Sequence, residues 1–269
     1  ARAGQDAGAA LAAARTGFVA QGNRRGAAGV SVVLGDHATA PFASPATWGF
    51  AMATTSSRNS GLPRSTEALE RSPARDAAAA AAAYDDAEEL YAAAGDRRGS
   101  AVVTWRRAYL ASVTGRPDLA AERAETAAAA LAAAGDQGSA LLADAHAVLA
   151  GIADGRMPVA DEVAAPVVAW GTGSGSLSQA VAVGIMFARA GRHWGRERRP
   201  ERALAAFAVA EAIWTGLGRP VSRSQTLVDQ AETMTAIGAG RAALLYLSRA
   251  VEVDDAPAAA DATDPRLHR

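Results

Sequence analysis

The side chains best placed for binding chemistry in this chain form an arginine cluster beside an indole. Residues 192–199 read Arg-His-Trp-Gly-Arg-Glu-Arg-Arg. Guanidinium groups bind carboxylates and phosphates through paired hydrogen bonds, and an indole offers a stacking surface. The segment predicts a contact site for an acidic peptide, a phosphate group or RNA; the alternative is a solvated turn whose arginine stems cover apolar surface. We define the arginine loop as Arg192, Trp194, Arg196, Arg198, Arg199 and Arg202.

Two other segments carry weaker chemical signals. The glycine-rich loop at 171–176 precedes a predicted helix at 177–190, whose N–H groups would suit an anion. It lacks the Lys-Ser/Thr of a P-loop and follows no strand, so we interpret it as a linker. Carboxylates clustered at 85–89 suit acid–base chemistry in pairs, but no His, Ser or metal-ligand partner shares their helix turn. We interpret them as a solvated face: Asp85, Asp86, Glu88 and Glu89.

Composition excludes several kinds of site. The chain has 269 residues, no cysteine, and 27 basic residues that are all arginine. Disulfides, thiolate nucleophiles, Cys-ligated zinc, P-loop lysines and Schiff-base lysines are therefore excluded. The four histidines are far apart in sequence, and we expect His146 to be buried or to line a groove. We predict no catalytic residue, no cofactor and no metal site.

Charge and hydropathy restrict the partners and the location. The net charge is -1, which gives no steering field for nucleic acid or for an anionic membrane. No run of about 18 uncharged apolar residues is present. Residues 1–5 lack the apolar core of a signal peptide. We expect a cytoplasmic protein without a membrane span, and we do not expect a nucleic-acid partner.

A repeat of about 40 residues organises the chain. Gly-Asp turns occur at 95–101 and 135–140, with a relative at 22–27. A second marker, related to Gly-Arg-Pro, recurs in the other half of each period. It ends at Ala120, Ala160, Ala203 and Ala243, which are separated by 40, 43 and 40 residues. Extending the register backwards gives Ala80, Ala40 and Ala7.

Each of these alanines except Ala40 predicts a helix with small or apolar residues four and seven positions further on, on one face. Proline at the helix start and acidic residues in the first turn favour this assignment. We expect Ser100 and Ser139 to cap the intervening helices. The helices that contain the alanines are predicted at 3–21, 76–94, 118–134, 157–170, 199–217 and 240–252. Their partners are predicted at 98–114, 137–154, 176–194 and 220–237. The alternative is an alanine-rich bundle with coincidental repeats.

These hairpins resemble the tetratricopeptide repeat (TPR) family. The resemblance lies in the Gly…Ala…(Tyr/Phe)…Ala spacing and in the Gly-Asp turn, and it covers residues 76–252 best. The period is that of a longer-helix bacterial variant. The resemblance implies an all-α fold, a right-handed superhelical solenoid of stacked antiparallel hairpins. It also implies a concave face, lined by first helices, that binds peptides or protein segments.

The helical register places a second set of candidate residues on that face. Trp105 and Tyr109 lie one turn apart on a first helix, and ordinary core packing between hairpins is the alternative for them. The predicted groove residues are Trp105, Arg106, Tyr109, His146, Met186, Arg189, Gln225, Asp229 and Glu232.

The predicted organisation has four parts. Degenerate repeat hairpins occupy 1–53, an irregular Pro/Ser-rich loop or short helix 54–75, regular repeats 76–253 and a flexible tail 254–269. Prolines break the pattern over 36–75, which predicts either a degenerate hairpin with a loop at 54–62 or a linker between two subdomains.

We predict a non-catalytic scaffold that binds a protein or peptide segment, with an acidic segment as one candidate. The alternative is the sensory or regulatory array of a larger bacterial signalling or transcriptional regulator, with an NTPase, protease or DNA-binding domain outside this chain. An enzyme that uses the groove is a third hypothesis, which the lack of Cys, Lys and clustered His disfavours.

Overall fold

The computed structural model describes residues 2–39, 73–173 and 175–255, and these form eleven α-helices without any strand in the described ranges. The first six are α1 (Arg2–Ala20), α2 (Arg24–Thr39), α3 (Pro73–Ala93), α4 (Arg97–Val113), α5 (Pro117–Ala133) and α6 (Gln137–Ala153). The other five are α7 (Ala160–Thr172), α8 (Leu177–Arg196), α9 (Pro200–Gly216), α10 (Pro220–Ala236) and α11 (Gly240–Asp255). The all-helical prediction is confirmed for these residues.

The chain divides into two compact units, residues 1–157 and 158–269. Within the first unit, each helix from α1 to α6 packs on the next one. Within the second unit, α8 to α11 pack in the same sequential way, and α7 packs on both α8 and α9. Sequential packing across short turns is the pattern of stacked helical hairpins and is consistent with a helical repeat.

The boundaries of the predicted regular helices agree with the structure to within a few residues. Alanine favours helix strongly, and glycine with a positive φ ends it. Pro117 and Pro200 begin α5 and α9 as expected, and Pro220 begins α10 in the same way. Pro158 does not begin α7, because that helix starts at Ala160 with Val159 as its N-cap.

The capping prediction was wrong in its residues. Asp96 caps α4 by accepting a hydrogen bond of 2.9 Å from the Gly99 amide. Asp136 caps α6 by accepting one of 3.1 Å from the Ser139 amide. Ser139 is therefore the amide donor and not the cap, because the helix starts three residues earlier than a serine cap would require.

The capping aspartates also connect neighbouring turns. The Arg25 guanidinium lies 3.3 Å from the Asp96 carboxylate, and Arg98 lies 2.7 Å from Asp136. The same turn motif thus supplies an arginine to the following cap in successive hairpins. This recurrence in space supports the sequence repeat independently of alanine content.

Buried alanines line the interfaces between the packed helices. Ala120 and Ala203 have no exposed surface, and Tyr84 and Phe207, the residues four positions after Ala80 and Ala203, are equally buried. A Cβ added at Gly191 would lie 2.5 Å from the Phe207 ring, so the backbone of α8 approaches this side chain directly. Small side chains thus allow close helix contacts.

In the two end helices, α1 and α11, the residue four positions after the repeat alanine is not fully buried. The residues four positions after Ala7 and Ala243 are Leu11, which is half-buried, and Leu247, which is 42% exposed. Ala14 is also exposed. In the described residues these helices have a neighbour on one side only, so the outer face remains open to solvent.

Residues at both edges of the predicted irregular segment, 36–75, are helical. Residues 36–39 belong to α2 and residues 73–75 to α3. Helices α2 and α3 pack together although 34 residues separate Thr39 from Pro73 in numbering. The expectations for the 54–62 loop and for the tail after residue 255 lie outside the described residues.

Candidate partner-binding surfaces

In the first unit, most of the predicted groove residues are buried. Trp105 and Tyr109 are 3% and 5% exposed, and Arg106 is half-buried. His146 on α6 is buried and forms a 2.8 Å hydrogen bond with the Ser112 hydroxyl on α4. Burial lowers the pKa of His146 to about 4. The placement of Trp105 and Tyr109 agrees with the core alternative.

In the second unit, the predicted groove residues divide between interior and surface. Met186 and Asp229 are buried, Arg189 is half-buried, and Gln225 and Glu232 are exposed. These five residues occupy α8 and α10, which contact one another.

A partly buried ion pair joins the two predicted sets, since the Asp229 side chain is 6% exposed and that of Arg192 is 41% exposed. Arg192 of the arginine loop donates to the Asp229 carboxylate at 2.7 Å, and the Gln225 amide donates to it at 3.2 Å. Asp229 is only 6% exposed, so the guanidinium compensates a charge that would be costly to leave unpaired. Arg192 therefore serves the packing of α8 on α10, and the free part of the arginine loop lies further along the chain.

The exposed part of the arginine loop consists of Arg196, Arg198 and Arg199. Trp194 is buried among the packed helices, so the indole does not stack beside these guanidinium groups at the surface. Arg202 is half-buried. Residues 197–199 form the turn between α8 and α9, and this turn exposes the Glu197 carboxylate beside the guanidinium groups of Arg198 and Arg199, without an aromatic partner.

The backbone of Arg198 is in the left-handed region, with φ of 56°. Its amide donates to the Gly195 carbonyl at 3.1 Å, and the Arg199 amide donates to the Trp194 carbonyl at 2.9 Å. Other described turns place glycine at this position: Gly22, Gly95, Gly115, Gly135, Gly155, Gly218 and Gly238. A side chain here costs about 1–2 kcal/mol.

Local electrostatics leave the turn positively charged. Glu197 is the acidic residue between these arginines, and its carboxylate lies 3.2 Å from His193 and 3.7 Å from Arg199. Arg199 is also the N-cap of α9 and makes no side-chain capping hydrogen bond. The positive end of the α9 dipole adds to the guanidinium charge, and Glu201 in the first turn of α9 offsets part of it.

A cavity of about 380 Å³ lies in the second unit, and the sequence interpretation missed it. Arg219 and Arg223 near the start of α10 line it together with Arg249 of α11 and the Trp214 indole. Arg223 lies 3.4 Å from the Glu211 carboxylate, which also accepts from Arg249. Three consecutive helices and the turn between the first two supply these residues, and only the four-residue spacing of Arg219 and Arg223 was visible beforehand.

The two weaker sequence candidates have structural partners. Residues 171–172 close α7, and Ser176 caps α8 by accepting from the Gln179 amide at 3.4 Å, as a linker between helices would do. Arg107 pairs with Asp85 and with Glu88, and Arg15 pairs with Asp86 at 2.9 Å. The acidic run is thus partly neutralised by neighbouring helices.

The described residues contain no cluster of three or more His, Cys, Asp or Glu side chains arranged for a metal ion. None of their helices is long and apolar enough to cross a bilayer. In comparisons with known proteins, no family model matches the chain, and no curated protein matches its sequence.

Proposed function

We propose that this chain is a non-catalytic, TPR-like scaffold that binds an acidic segment of a partner protein at the turn between α8 and α9. Right-handed stacking of the hairpins is part of this proposal. The observation that carries it is the exposed triplet Arg196, Arg198 and Arg199, with a strained arginine where seven other described turns have glycine.

The hairpin packing supports a scaffold. Helices pack sequentially within each unit, and fully buried alanines such as Ala120 and Ala203 allow close contacts. Repeat architectures of this kind present side chains of successive helices and turns at regular intervals. Binding at such a surface requires no catalytic group.

The chemistry of the turn supports an acidic partner. Guanidinium groups form bidentate hydrogen bonds with carboxylates. The uncapped start of α9 follows directly, and helix N-termini favour anions. Backbone strain that glycine would relieve is typical of sites retained for binding.

Fluorescence polarisation with a labelled oligoglutamate peptide tests the proposal. Changing Arg196, Arg198 and Arg199 together to Ser should weaken binding by about tenfold or more at low salt. The loss should shrink as salt rises, because exposed charges are screened over about 8–10 Å near physiological ionic strength. The free energy of unfolding should not fall, since exposed substitutions usually change it by about 0.5 kcal/mol or less.

A matched control removes the same charge from turns of the first unit. Arg97, Arg116 and Arg156 are all exposed, and changing them together to Ser should leave oligoglutamate binding unchanged. Equal losses in both triple variants would show non-specific charge attraction and overturn the proposal. Binding that survives the arginine-loop variant but is lost in Arg219→Ser with Arg249→Ser would transfer the site to the α9–α11 cavity, and the proposal would again be wrong.

A further inference from the structure

Helix α11 has an apolar face that no described element covers. Leu244 and Leu245 are each 67% exposed, Val251 is 58% exposed and Leu247 is 42% exposed. Its opposite face packs on α10 through Ala250 and Val253, which contact Leu227. A group of large apolar side chains on one helix face marks an interaction surface rather than ordinary scattered exposure.

One position of this face is covered in most other helices of the repeat. Leu247 occupies the position of Tyr84, Ala124, Ala164 and Phe207 in the other helices that carry a repeat alanine, and those residues are at most 4% exposed. The equivalent residue of α1, Leu11, is half-buried. Leu247 is therefore a residue that corresponds to a helix interface elsewhere and remains in solvent in α11.

The charges of α11 are reversed relative to its own dipole. Arg241 lies in the first turn and Glu252 near the last, whereas acidic residues favour the first turn and basic residues the last. At their N-termini, two other helices of the repeat follow the normal rule, since α5 has Asp118 and α9 has Glu201 in the first turn. The reversed order does not stabilise an isolated helix. It does stabilise a pair of antiparallel helices that share this order, because each basic end then lies beside the acidic end of the other helix.

Helical spacing places these charges beside the leucines. Arg241, Leu245, Ser248 and Glu252 follow one another at intervals of four, three and four residues and form one ridge. Leu244, Leu247 and Val251 form the adjacent ridge. When a second α11 is laid antiparallel on this face, two-fold symmetry brings each Arg241 opposite the other copy's Glu252 and sets the leucine ridges together.

We propose that α11 is a self-association surface, at which two copies of this chain pair through antiparallel α11 helices. The segment that directly follows α11 is 256–269, and its sequence contains one large apolar residue, Leu267. That segment offers little to match four exposed apolar side chains. A second copy matches both the apolar ridge and the reversed charges.

Sedimentation velocity of the full chain over a range of concentrations tests the proposal. The wild-type chain should show a monomer–dimer equilibrium, and Leu244→Arg should weaken it by about tenfold or more, because two-fold symmetry places the change in the interface twice. Val159→Arg is the matched control, because Val159 is 59% exposed but lies before α7, which has no substantial contact with α11. A wild-type chain that stays monomeric throughout would overturn the proposal.

Charge exchange tests the antiparallel register. Arg241→Glu and Glu252→Arg should each weaken the dimer, and the double variant should restore it. Eleven residues of helix place the two side chains about 16 Å apart, so restoration cannot arise within one copy. Each single change also corrects the dipole and should raise the free energy of unfolding at concentrations where the chain is monomeric, which is opposite in sign to its effect on the dimer.

Two further outcomes would count against a second copy. A double variant that dimerises no better than the single variants would overturn the antiparallel pairing. The second outcome is a full chain that stays monomeric and a chain without residues 256–269 that dimerises. This result would identify that segment as the occupant of the α11 face.

Discussion

At the residue scale, Arg198 is the position where local stability and surface chemistry conflict. We predict that Arg198→Gly raises the free energy of unfolding by about 0.5–1 kcal/mol, because it removes left-handed strain and keeps the turn. The same change should weaken oligoglutamate binding. Urea denaturation and fluorescence polarisation measure the two effects on one sample.

The reciprocal change provides the control. Gly218 has φ of 62° in the α9–α10 turn and no atom within 4 Å of an added Cβ. Gly218→Ala should therefore lower the free energy of unfolding by a similar amount, through backbone conformation alone. If Arg198→Gly left stability unchanged while Gly218→Ala lowered it, the strain assigned to Arg198 would be absent.

His146 determines part of the acid sensitivity of the fold. Its pKa is about 4 in the folded chain and near 6.5 when unfolded, so the unfolded chain binds the extra proton first as pH falls. The stability contributed by neutral His146 should be complete above pH 6.5 and decline through pH 4, by about 2 kcal/mol at pH 4.5. Chemical denaturation of the wild-type chain at pH 7 and at pH 4.5 measures this loss of stability.

The comparison variant is His146→Gln, which retains a polar side chain and cannot titrate. It should lose markedly less stability between pH 7 and pH 4.5 than the wild-type chain. Asp144 acts in the opposite sense, because burial and then Glu125 raise the pKa of that carboxyl. Both proteins contain Asp144, so their difference isolates the histidine, and equal pH slopes would contradict the assignment.

At the element scale, glycines inside helices have unequal roles that their sequence context does not reveal. We predict that Gly191→Ala in α8 destabilises the fold by about 1–2 kcal/mol. An added Cβ would lie 2.5 Å from the Phe207 ring, and overpacking outweighs the gain in helix propensity. The midpoint of urea denaturation measures the change.

Gly17 in α1 is the matched control, because no atom lies within 4 Å of a Cβ added there. Gly17→Ala should stabilise by up to about 1 kcal/mol through helix propensity. Two variants that shift the midpoint in the same direction would show that α8 does not approach Phe207 as closely as the structure indicates.

Helix limits were the most predictable part of each element. Proline, glycine and first-turn acids act through the local backbone, so α5 and α9 appear in the sequence with nearly correct ends. Caps were less predictable, because Asp96 and Ser100 both occur near the start of α4 and both accept hydrogen bonds. The choice depends on which residue leaves the helical conformation, and here the preceding Gly95 turn places Asp96 at that point.

At the scale of the whole molecule, the repeat defines the order of packing within each unit. The 40-residue recurrence predicts that successive helices contact one another, and they do from α1 to α6 and from α7 to α11. The Arg25–Asp96 and Arg98–Asp136 pairs repeat one contact between an arginine and a capping aspartate in the first unit, and the two aspartates lie 40 residues apart. The sequence patterns therefore predicted contacts between successive helices as well as the helices themselves.

The sequence alone determined the all-helical class, the helix limits and the location of the arginine loop, because these depend on local spacing and composition. Tertiary structure decided which faces of those helices are accessible. Trp194 is buried while Arg198 is exposed, and the cavity around Arg219 and Arg249 unites residues from separate helices. A helix rotates by about 100° per residue, so a small error in phase exchanges an interior side chain for a surface one.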